Sequence, residues 1–194
     1  GNNQYRNAIL GVIPIIDQYD SDGKYPVFGY GMTYNGSNTT EHCKLLSDSS
    51  SYSDGVVMTY ESALQSNEFK LSGPTFFSPF IQEVIRRVKS QDSKTYTVAV
   101  IFTDGEINDM PATISSIVEA SYLPISIIVV GIGSSGFESM RMLDNDGKPP
   151  LKDANSRPAK RDIVQFVNFL SCADAKTLQI ETLAELPRQI AEFY

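Results

Sequence analysis

Uninterrupted apolar runs and helix-like spacings of apolar residues alternate along the chain. The clearest runs are residues 98–102 and 125–132. β-Prone runs of this kind indicate strands covered on both faces, as in a parallel sheet with helices on either side. Residues 163–169 predict a last strand, and residues 25–30 predict an early one. Residues 43–46 predict a further short strand, before a loop at 47–53 that is rich in serine.

Apolar residues recur at helical spacing around these strands. The predicted helices cover residues 4–19, 56–64, 77–88, 111–120, 137–143 and 173–194. Pro14 should kink or end the first helix, and Pro187 should bend or divide the last. The alternation of strands and helices implies an α/β fold, a mostly parallel sheet with helices on both faces. A chain of 194 residues suits one domain, residues 1–194.

Composition and charge argue against several classes of function. Asp and Glu number 23 against 16 Lys and Arg, a net charge of −7, which argues against nonspecific binding to nucleic acid. Cys43 and Cys172 match no metal-binding spacing and predict reduced thiols in an intracellular protein. His42 is the sole histidine, and one histidine cannot form a zinc cluster. The sequence shows neither a membrane-spanning apolar run nor a signal peptide at its start.

Asp104 directly follows the apolar run 98–102 and Thr103. A carboxylate just past the end of such a strand lies where open α/β sheets bind ligands. Gly105 permits a sharp turn there, and Asp109 predicts the N-cap of the next helix. Asp104 can also be read simply as a turn or cap residue.

Thr75 offers a second oxygen donor, placed after Gly73-Pro74 and just before the predicted helix at 77–88. Taken by itself, Thr75 is better explained as the N-cap of that helix. Mg²⁺ prefers oxygen ligands, often one or two carboxylates with hydroxyls and waters. Two loops at one edge of a sheet could supply such a set, and the spacing alone leaves the metal and structural alternatives open.

Three other motifs are better explained as turns. Residues 20–23 and 144–147 resemble the start of a calcium loop, but the first lacks the further ligands and Pro149-Pro150 interrupts the second. Gly131, Gly133 and Gly136 match the GxGxxG pattern, but no ribose-binding acidic residue follows at the expected place. These glycines predict a strand-to-helix turn rather than a dinucleotide site.

Several segments resemble the von Willebrand factor A-type domain of copines, in the right order over essentially the whole chain. The segments are YDSDGKYPVFGYG (19–31), LSGPT (71–75), FTDGEINDM (102–110), LPISIIVVGIG (123–133), LDNDG (143–147), RDIVQFVNF (161–169) and LAELPRQIAEFY (183–194). The RDIVQF and YDSD motifs are those of the copine branch. The LSGPT motif also resembles the copine-like domain of plant RING-type ubiquitin ligases. The resemblance implies a von Willebrand factor A-like, Rossmann-like fold.

The resemblance also implies a metal-ion-dependent adhesion site that binds Mg²⁺ or Mn²⁺. Thr75 and Asp104 match its threonine and its second aspartate. Its Asp-x-Ser-x-Ser loop and the central strand before that loop have no counterpart in this sequence, so the domain is expected to be truncated at its N-terminus. Metal binding by Thr75 and Asp104 alone should be weak. We expect the neighbouring strands to close up, another chain to fill the gap, or the missing segment to lie outside this sequence.

The function implied by the resemblance is an intracellular protein–protein interaction module without enzymatic activity. Its partners would be target proteins that offer an acidic side chain to the metal, with self-association through the gap as a further expectation. In complete copines, C2 domains bind phospholipid with calcium, so the full-length protein would be cytoplasmic with calcium-dependent recruitment to membranes. A second hypothesis is the substrate-recruiting domain of a copine-like ubiquitin ligase. A third, a nucleotide-binding α/β enzyme, would use the glycines after Val130.

Overall fold

The structure is a computed structural model that describes residues 3–134, 136–146 and 148–194. The final glycine of the 144–147 turn lies outside the described residues. The helices are α1 (Gln4–Asp17), α2 (Tyr52–Gln65), α3 (Ser78–Val88), α4 (Met110–Ala120), α5 (Glu138–Asp144), α6 (Ala175–Leu183) and α7 (Leu186–Phe193). The strands are β1 (Lys24–Gly29), β2 (Met32–Tyr34), β3 (Thr40–Glu41), β4 (Lys44–Ser51), β5 (Phe69–Leu71), β6 (Thr97–Thr103), β7 (Ile125–Gly131) and β8 (Val164–Asn168).

The three apolar runs of the C-terminal half form a parallel sheet in the order β6-β7-β8. Every residue of β7 is buried, because helices cover both faces of the sheet. Ile128 and Val130 pack with α1 and α6, while Ile127 and Val129 pack with α3, α4 and α5. The predicted α/β arrangement, with a mostly parallel sheet and flanking helices, is confirmed for this part of the chain.

The strands of the N-terminal half belong to two small antiparallel sheets instead. β1 pairs with β4, and β2 pairs with both β3 and β5. The serine-rich loop predicted at 47–53 was wrong, because β4 runs to Ser51 and α2 begins at Tyr52. The serines are accommodated because β4 pairs along β1, and the buried Ser50 hydroxyl lies 2.7 Å from the Thr59 hydroxyl.

The two helical prolines have different consequences. Pro14 lies inside α1 on an exposed position, and the helix ends at Asp17 rather than at Tyr19 as predicted. The predicted division of the last helix is confirmed, since α6 ends at Leu183 and Pro187 occupies the first turn of α7. Proline is tolerated there because the backbone N–H of the first turn has no partner within the helix. Within the described residues, none of the helices has the length and apolar character needed to cross a membrane.

A large cleft separates β1 from β6. Among the described strands, β6 pairs with β7 alone and β1 pairs with β4 alone. The cleft between them has a volume of about 1200 Å³. The expectation that the neighbouring strands close up across the gap was therefore wrong, and the other two outcomes stay predictions.

Candidate functional site

Apolar side chains form the walls of the cleft. They come from α1, β1, α3 with its N-cap Phe77, and β6: Ile9, Ile13, Val27, Phe28, Phe77, Phe80, Val98, Val100 and Phe102. Val98, Val100 and Phe102 are only partly buried, whereas Ala99 and Ile101 of the same strand are fully buried. The incomplete burial of β6 arises because its outer edge faces the cleft.

Thr75 and Asp104 both line this cleft, although 29 positions separate them in the sequence. Asp104 is exposed and follows the last residue of β6, as predicted. Thr75 is half-buried and is not the N-cap of α3, because Phe77 occupies that position. The structural explanation for Thr75 as a cap was wrong, and its hydroxyl makes no hydrogen bond to the described residues.

Asn108 joins the loops that carry Thr75 and Asp104. The Thr75 amide donates to the Asn108 side-chain oxygen at 2.7 Å, and the Asn108 amide donates to the Thr75 carbonyl oxygen at 2.8 Å. This reciprocal pair of bonds holds the two loops side by side. This contact could not be predicted from the sequence, because it joins two loops 33 residues apart.

Asp109 bonds to the first residues of both α3, which follows the Thr75 loop, and α4, which follows the Asp104 loop. It is the N-cap of α4, as predicted, and its carboxylate accepts the Thr113 hydroxyl at 2.9 Å. The same carboxylate accepts the amides of Phe77 at 3.0 Å and Ser78 at 2.9 Å, at the start of α3. One aspartate therefore satisfies backbone donors of a helix that is distant in the sequence.

Two tyrosines complete the rim of the cleft. Tyr5 lines the cleft together with Asp104. Burial, reinforced by the neighbouring Tyr30 and Asp104, raises the pKa of Tyr5. The Tyr30 hydroxyl donates to the carbonyl oxygen of Phe102 at 2.5 Å. Burial raises the pKa of Tyr30 to about 12, so the hydroxyl keeps the proton it donates. Neither tyrosine was singled out from the sequence.

A separate group of carboxylates lies away from the cleft. Oxygen atoms of Asp144, Asp146 and Glu185 all lie within 4.8 Å of one another. Burial, reinforced by neighbouring carboxylates, raises the pKa of Asp144 to about 6 and that of Glu185 to about 7. Arg188 lies 3.0 Å from Glu185, but it is half exposed, so water screens its charge and burial dominates. The sequence pointed to the 144–147 turn but not to Glu185, which lies some 40 residues further on.

The glycines that follow β7 serve packing. A Cβ atom on Gly131 would lie 2.8 Å from the Phe137 ring and 2.9 Å from the Phe166 ring. Gly131 is therefore required by two aromatic rings rather than by an approaching phosphate. Gly133 has a positive φ of 124°, as expected for a turn between β7 and α5.

The single histidine and the two cysteines take no part in the cleft's rim. The His42 ring stacks on Phe76 at 4.2 Å, and its buried Nδ1 atom has no hydrogen-bond partner among the described residues. Cys43 and Cys172 are free and half-buried. Burial raises the pKa of the Cys43 thiol to about 11 and also raises that of Cys172, so both resist becoming reactive thiolates.

Comparison of the fold with solved structures supports the von Willebrand factor A-like architecture. The chain is similar to the manganese-loaded TRAP protein of Plasmodium vivax, with a TM-score of 0.55 over 89% of this chain and 62% of that one. The sequences are 12% identical, so the likeness concerns the fold alone.

Comparison of the sequence is more specific. A family model described as Copine matches residues 1–194. Copine-C of Dictyostelium discoideum is 40% identical over 203 residues, covering 100% of this chain and 37% of the relative. Copine-B of the same organism is 39% identical over 98% of this chain and 37% of its own length. Protein BONZAI 1 of Arabidopsis thaliana is 37% identical over 98% of this chain and 34% of its own length.

The chain thus spans little more than a third of the length of these curated relatives. Its similarity to them nevertheless extends along all of its own length, through the site loops as well as the core. The chain therefore belongs to the copine family.

Proposed function

We propose that this domain is a protein-interaction module whose binding rim carries Thr75 and Asp104, with a divalent cation as part of the contact. The observation that supports it most strongly is the presence of both side chains along the rim of one cleft. Asn108 holds their loops together, so the two oxygen donors belong to a single fixed surface.

The donor set is consistent with a hard cation. Mg²⁺ commonly takes one or two carboxylates and keeps several waters, and Mn²⁺ accepts the same oxygen ligands. Asp104 would provide the carboxylate, and Thr75 a hydroxyl that makes no hydrogen bond to the other described residues. Two protein ligands support only weak binding, as expected from the sequence. The manganese-loaded TRAP protein of Plasmodium vivax has a similar fold, which is consistent with the same choice of ion.

The role of the cation in recognition would be to leave coordination positions open to a partner. An acidic side chain of the partner would fill one of these positions, because carboxylates are preferred ligands of such ions. The net charge of −7 makes an acidic partner unfavourable without the cation. The proposal therefore assigns this domain binding rather than catalysis, with affinity that depends on Mg²⁺ or Mn²⁺.

The test compares proteins captured from a cell lysate by wild-type chain and by Asp104→Ala, in Mg²⁺ and in EDTA. We expect capture by the wild type in Mg²⁺ only, and loss of that capture in Asp104→Ala. Asp92→Ala is the matched control, since Asp92 is also an exposed loop aspartate but lies outside the cleft. Capture that is unchanged by Asp104→Ala would show that Asp104 takes no part in recognition.

The longer proteins of the family extend the proposal. There, other domains would bind phospholipid with calcium and bring this domain from the cytoplasm to a membrane, where it would recruit target proteins. The alternative, a substrate-recruiting domain beside a RING in a ubiquitin ligase, uses the same rim. The two hypotheses differ in which domains accompany this one. The relatives reported above are named as copines and BONZAI 1, which favours the copine hypothesis.

A further inference from the structure

The segment between α5 and β8 has a charge opposite to that of the domain. Residues 148–160, which we call the basic loop, contain four basic side chains and one carboxylate, Asp153. The rest of the chain contains 12 basic and 22 acidic side chains. All four cations of the loop are exposed, and among the described residues none of them forms an ion pair: Lys148, Lys152, Arg157 and Lys160. Their charges are therefore available to a ligand outside the domain.

Hydrogen bonds fix the conformation of the basic loop. The amide of Ala159 donates to the carbonyl oxygen of Leu151 at 2.7 Å, and the amide of Asp153 donates to that of Arg157 at 3.0 Å. The Asp153 carboxylate accepts the amides of Asn155 and Arg157, each at 2.9 Å. The one carboxylate of the loop is thus used to close its turn. Since the loop is already ordered, little conformational entropy is lost when it binds.

The basic loop is also anchored to the residues that precede β7. The Lys160 amide donates to the Ser121 hydroxyl at 2.8 Å, and the Tyr122 hydroxyl donates to the Pro158 carbonyl oxygen at 3.1 Å. The Arg157 guanidinium lies over the Tyr122 ring, 4.0 Å from its centroid. Because β7 begins at Ile125, these contacts place the loop at the amino end of the parallel sheet.

The rim that carries Thr75 and Asp104 lies at the other end of this sheet. β6, β7 and β8 are parallel, so their carboxyl ends lie together, and Asp104 follows the last residue of β6. The seven residues of β6 separate the two ends by about 20 Å, at about 3.3 Å for each residue. The basic loop is therefore a second surface, out of reach of a partner bound at the rim.

A single small anion is a poor ligand for the basic loop. The pocket beside the loop has a volume of about 220 Å³, below the range of about 300–1,000 Å³ that is typical of ligand sites. Lys148 and Lys160 line it, but so do the carboxylates Asp146 and Asp162, which oppose the entry of an anion. The exposed cations are better placed to meet an extended anionic surface from outside.

An anionic lipid surface suits the loop better than nucleic acid or protein does. Single-stranded nucleic acids bind to aromatic rings on which their bases stack, and Arg157 already covers one face of Tyr122. Lysine is depleted at protein interfaces, whereas clusters of lysine and arginine are attracted to anionic lipids. The acidic remainder of the chain is repelled by such lipids, so the domain can approach them only with the basic loop in front.

From these observations we propose that the basic loop binds an anionic lipid surface and so turns the rim away from it. This inference goes beyond the proposed protein-binding function and does not depend on a cation at Thr75 and Asp104. The contact is electrostatic, so it needs no calcium and weakens as salt screens the charges. Because the loop and the rim lie at opposite ends of the sheet, the bound domain presents its rim to partners in solution.

Co-sedimentation of the full chain with lipid vesicles, in EDTA, tests the proposal. The vesicles contain either phosphatidylcholine alone or equal parts of phosphatidylcholine and phosphatidylserine. At low ionic strength, we expect binding to the anionic vesicles to exceed binding to the neutral ones by at least about fivefold. The excess should disappear in about 1 M NaCl, where the Debye length is about 3 Å.

A matched pair of variants separates the loop from the overall charge. Lys152→Glu/Lys160→Glu should weaken binding to the anionic vesicles by at least about tenfold. Lys70→Glu/Lys176→Glu makes the same change in net charge at exposed positions of β5 and α6, and should weaken binding by less than about threefold. If the first variant fails to fold, Lys152→Gln/Lys160→Gln replaces it, with an expected loss of at least about threefold.

Fluorescence quenching tests the orientation of the bound domain. A fluorophore is attached to Ala154→Cys in the basic loop or to Glu106→Cys beside Asp104, each in a Cys43→Ser/Cys172→Ser background, since both positions are exposed. Lipids with a nitroxide on the headgroup should quench the label in the loop and not the label at the rim. Equal quenching of the two labels would contradict the orientation.

Three further results would overturn the proposal. One is equal binding to neutral and anionic vesicles, and another is an equal loss of binding in the two double glutamate variants. The last is retention of the chain on DNA or on polyglutamate without binding to anionic vesicles, which would assign the loop to a different class of partner. Asp104→Ala should bind vesicles as the wild type does, so failure of the cation site and failure of the lipid contact are distinguishable.

Discussion

The hydroxyl of Tyr30 donates a hydrogen bond to the carbonyl oxygen of Phe102 at 2.5 Å, across the cleft that separates β1 from β6. The two residues are 72 positions apart; Tyr30 directly follows β1, and Phe102 lies in β6. The Tyr30 ring also packs edge-on against Phe77 at 5.9 Å. This contact holds the carboxyl ends of the two strands together and so fixes the rim on which Thr75 and Asp104 lie.

Tyr30→Phe should lower the free energy of unfolding by about 1 kcal/mol, since it removes one hydrogen bond and keeps the ring. Urea denaturation followed by circular dichroism measures the change. Tyr19→Phe is the control, because Tyr19 is 68% exposed. An equal effect of the two substitutions would mean that the bond to Phe102 does not hold the cleft together.

Asp109→Ala should destabilise the domain by about 1–2 kcal/mol, because it removes an acceptor for the first amides of α3 and for Thr113. We expect it also to loosen the Thr75 loop, which precedes α3. Unfolding in urea gives the first effect, and amide exchange at Thr75 and Asn108 gives the second. Asp92→Ala, in an exposed loop, should change neither; unaltered exchange at Thr75 in Asp109→Ala would contradict the predicted coupling.

Arg161 is a buried, positively charged residue. It is 8% exposed, and its guanidinium donates to the carbonyl oxygens of Leu123 at 2.6 Å, Ile125 at 2.8 Å and Gln189 at 3.1 Å. These bonds tie the segment before β8 to the start of β7 and to α7. This gives a structural reason for the arginine of the RDIVQF motif.

Arg161→Ala should therefore lower the free energy of unfolding by about 3 kcal/mol, since it removes several hydrogen bonds that a buried charged group donates. Arg6→Ala breaks an exposed ion pair with Glu61 and should cost less than about 1 kcal/mol. Thermal unfolding of both variants provides the comparison. A loss at Arg161 no larger than that at Arg6 would show that its buried bonds are not stabilising.

The carboxylates Asp144 and Glu185 should make stability depend on pH. Their folded-state pKa values of about 6 and about 7 lie above the ordinary values of 3.8 and 4.5. The folded state thus binds more protons than the unfolded state between these limits, so their contribution is complete at low pH and is lost as the pH rises through 6 to 7.

Urea denaturation at pH 5 and pH 8 measures this dependence. We expect stability to fall by about 1 kcal/mol over this interval, after allowance for solvent screening. Glu185→Gln should flatten the change, whereas Glu68→Gln, at an exposed position, should not. Stability that rises between pH 5 and pH 8 in the wild type would refute the assignment.

The sequence predicted the parallel half of the fold well because its apolar runs are long and local. β6, β7 and β8 each lie where the pattern placed them. β4 was misjudged because its serines pair along β1, and pairing between strands is not visible in a local pattern.

For the candidate site, the sequence singled out Thr75 and Asp104 by their loops and by a family resemblance. The role of each as a metal ligand stays a prediction. The sequence could not show Asn108 or Tyr5 at the same rim, because their contacts depend on the tertiary fold. Glu185 was missed for the same reason, since its partners Asp144 and Asp146 lie some 40 residues earlier.

The most direct test of the central claim, a cation site at Thr75 and Asp104, is paramagnetic line broadening of backbone amides on titration with Mn²⁺. We predict broadening at Thr75, Asp104 and Tyr5 in the wild type, and its loss in Asp104→Asn but not in Asp92→Asn. Broadening that survives in Asp104→Asn, or that occurs instead around Asp144, Asp146 and Glu185, would contradict the account.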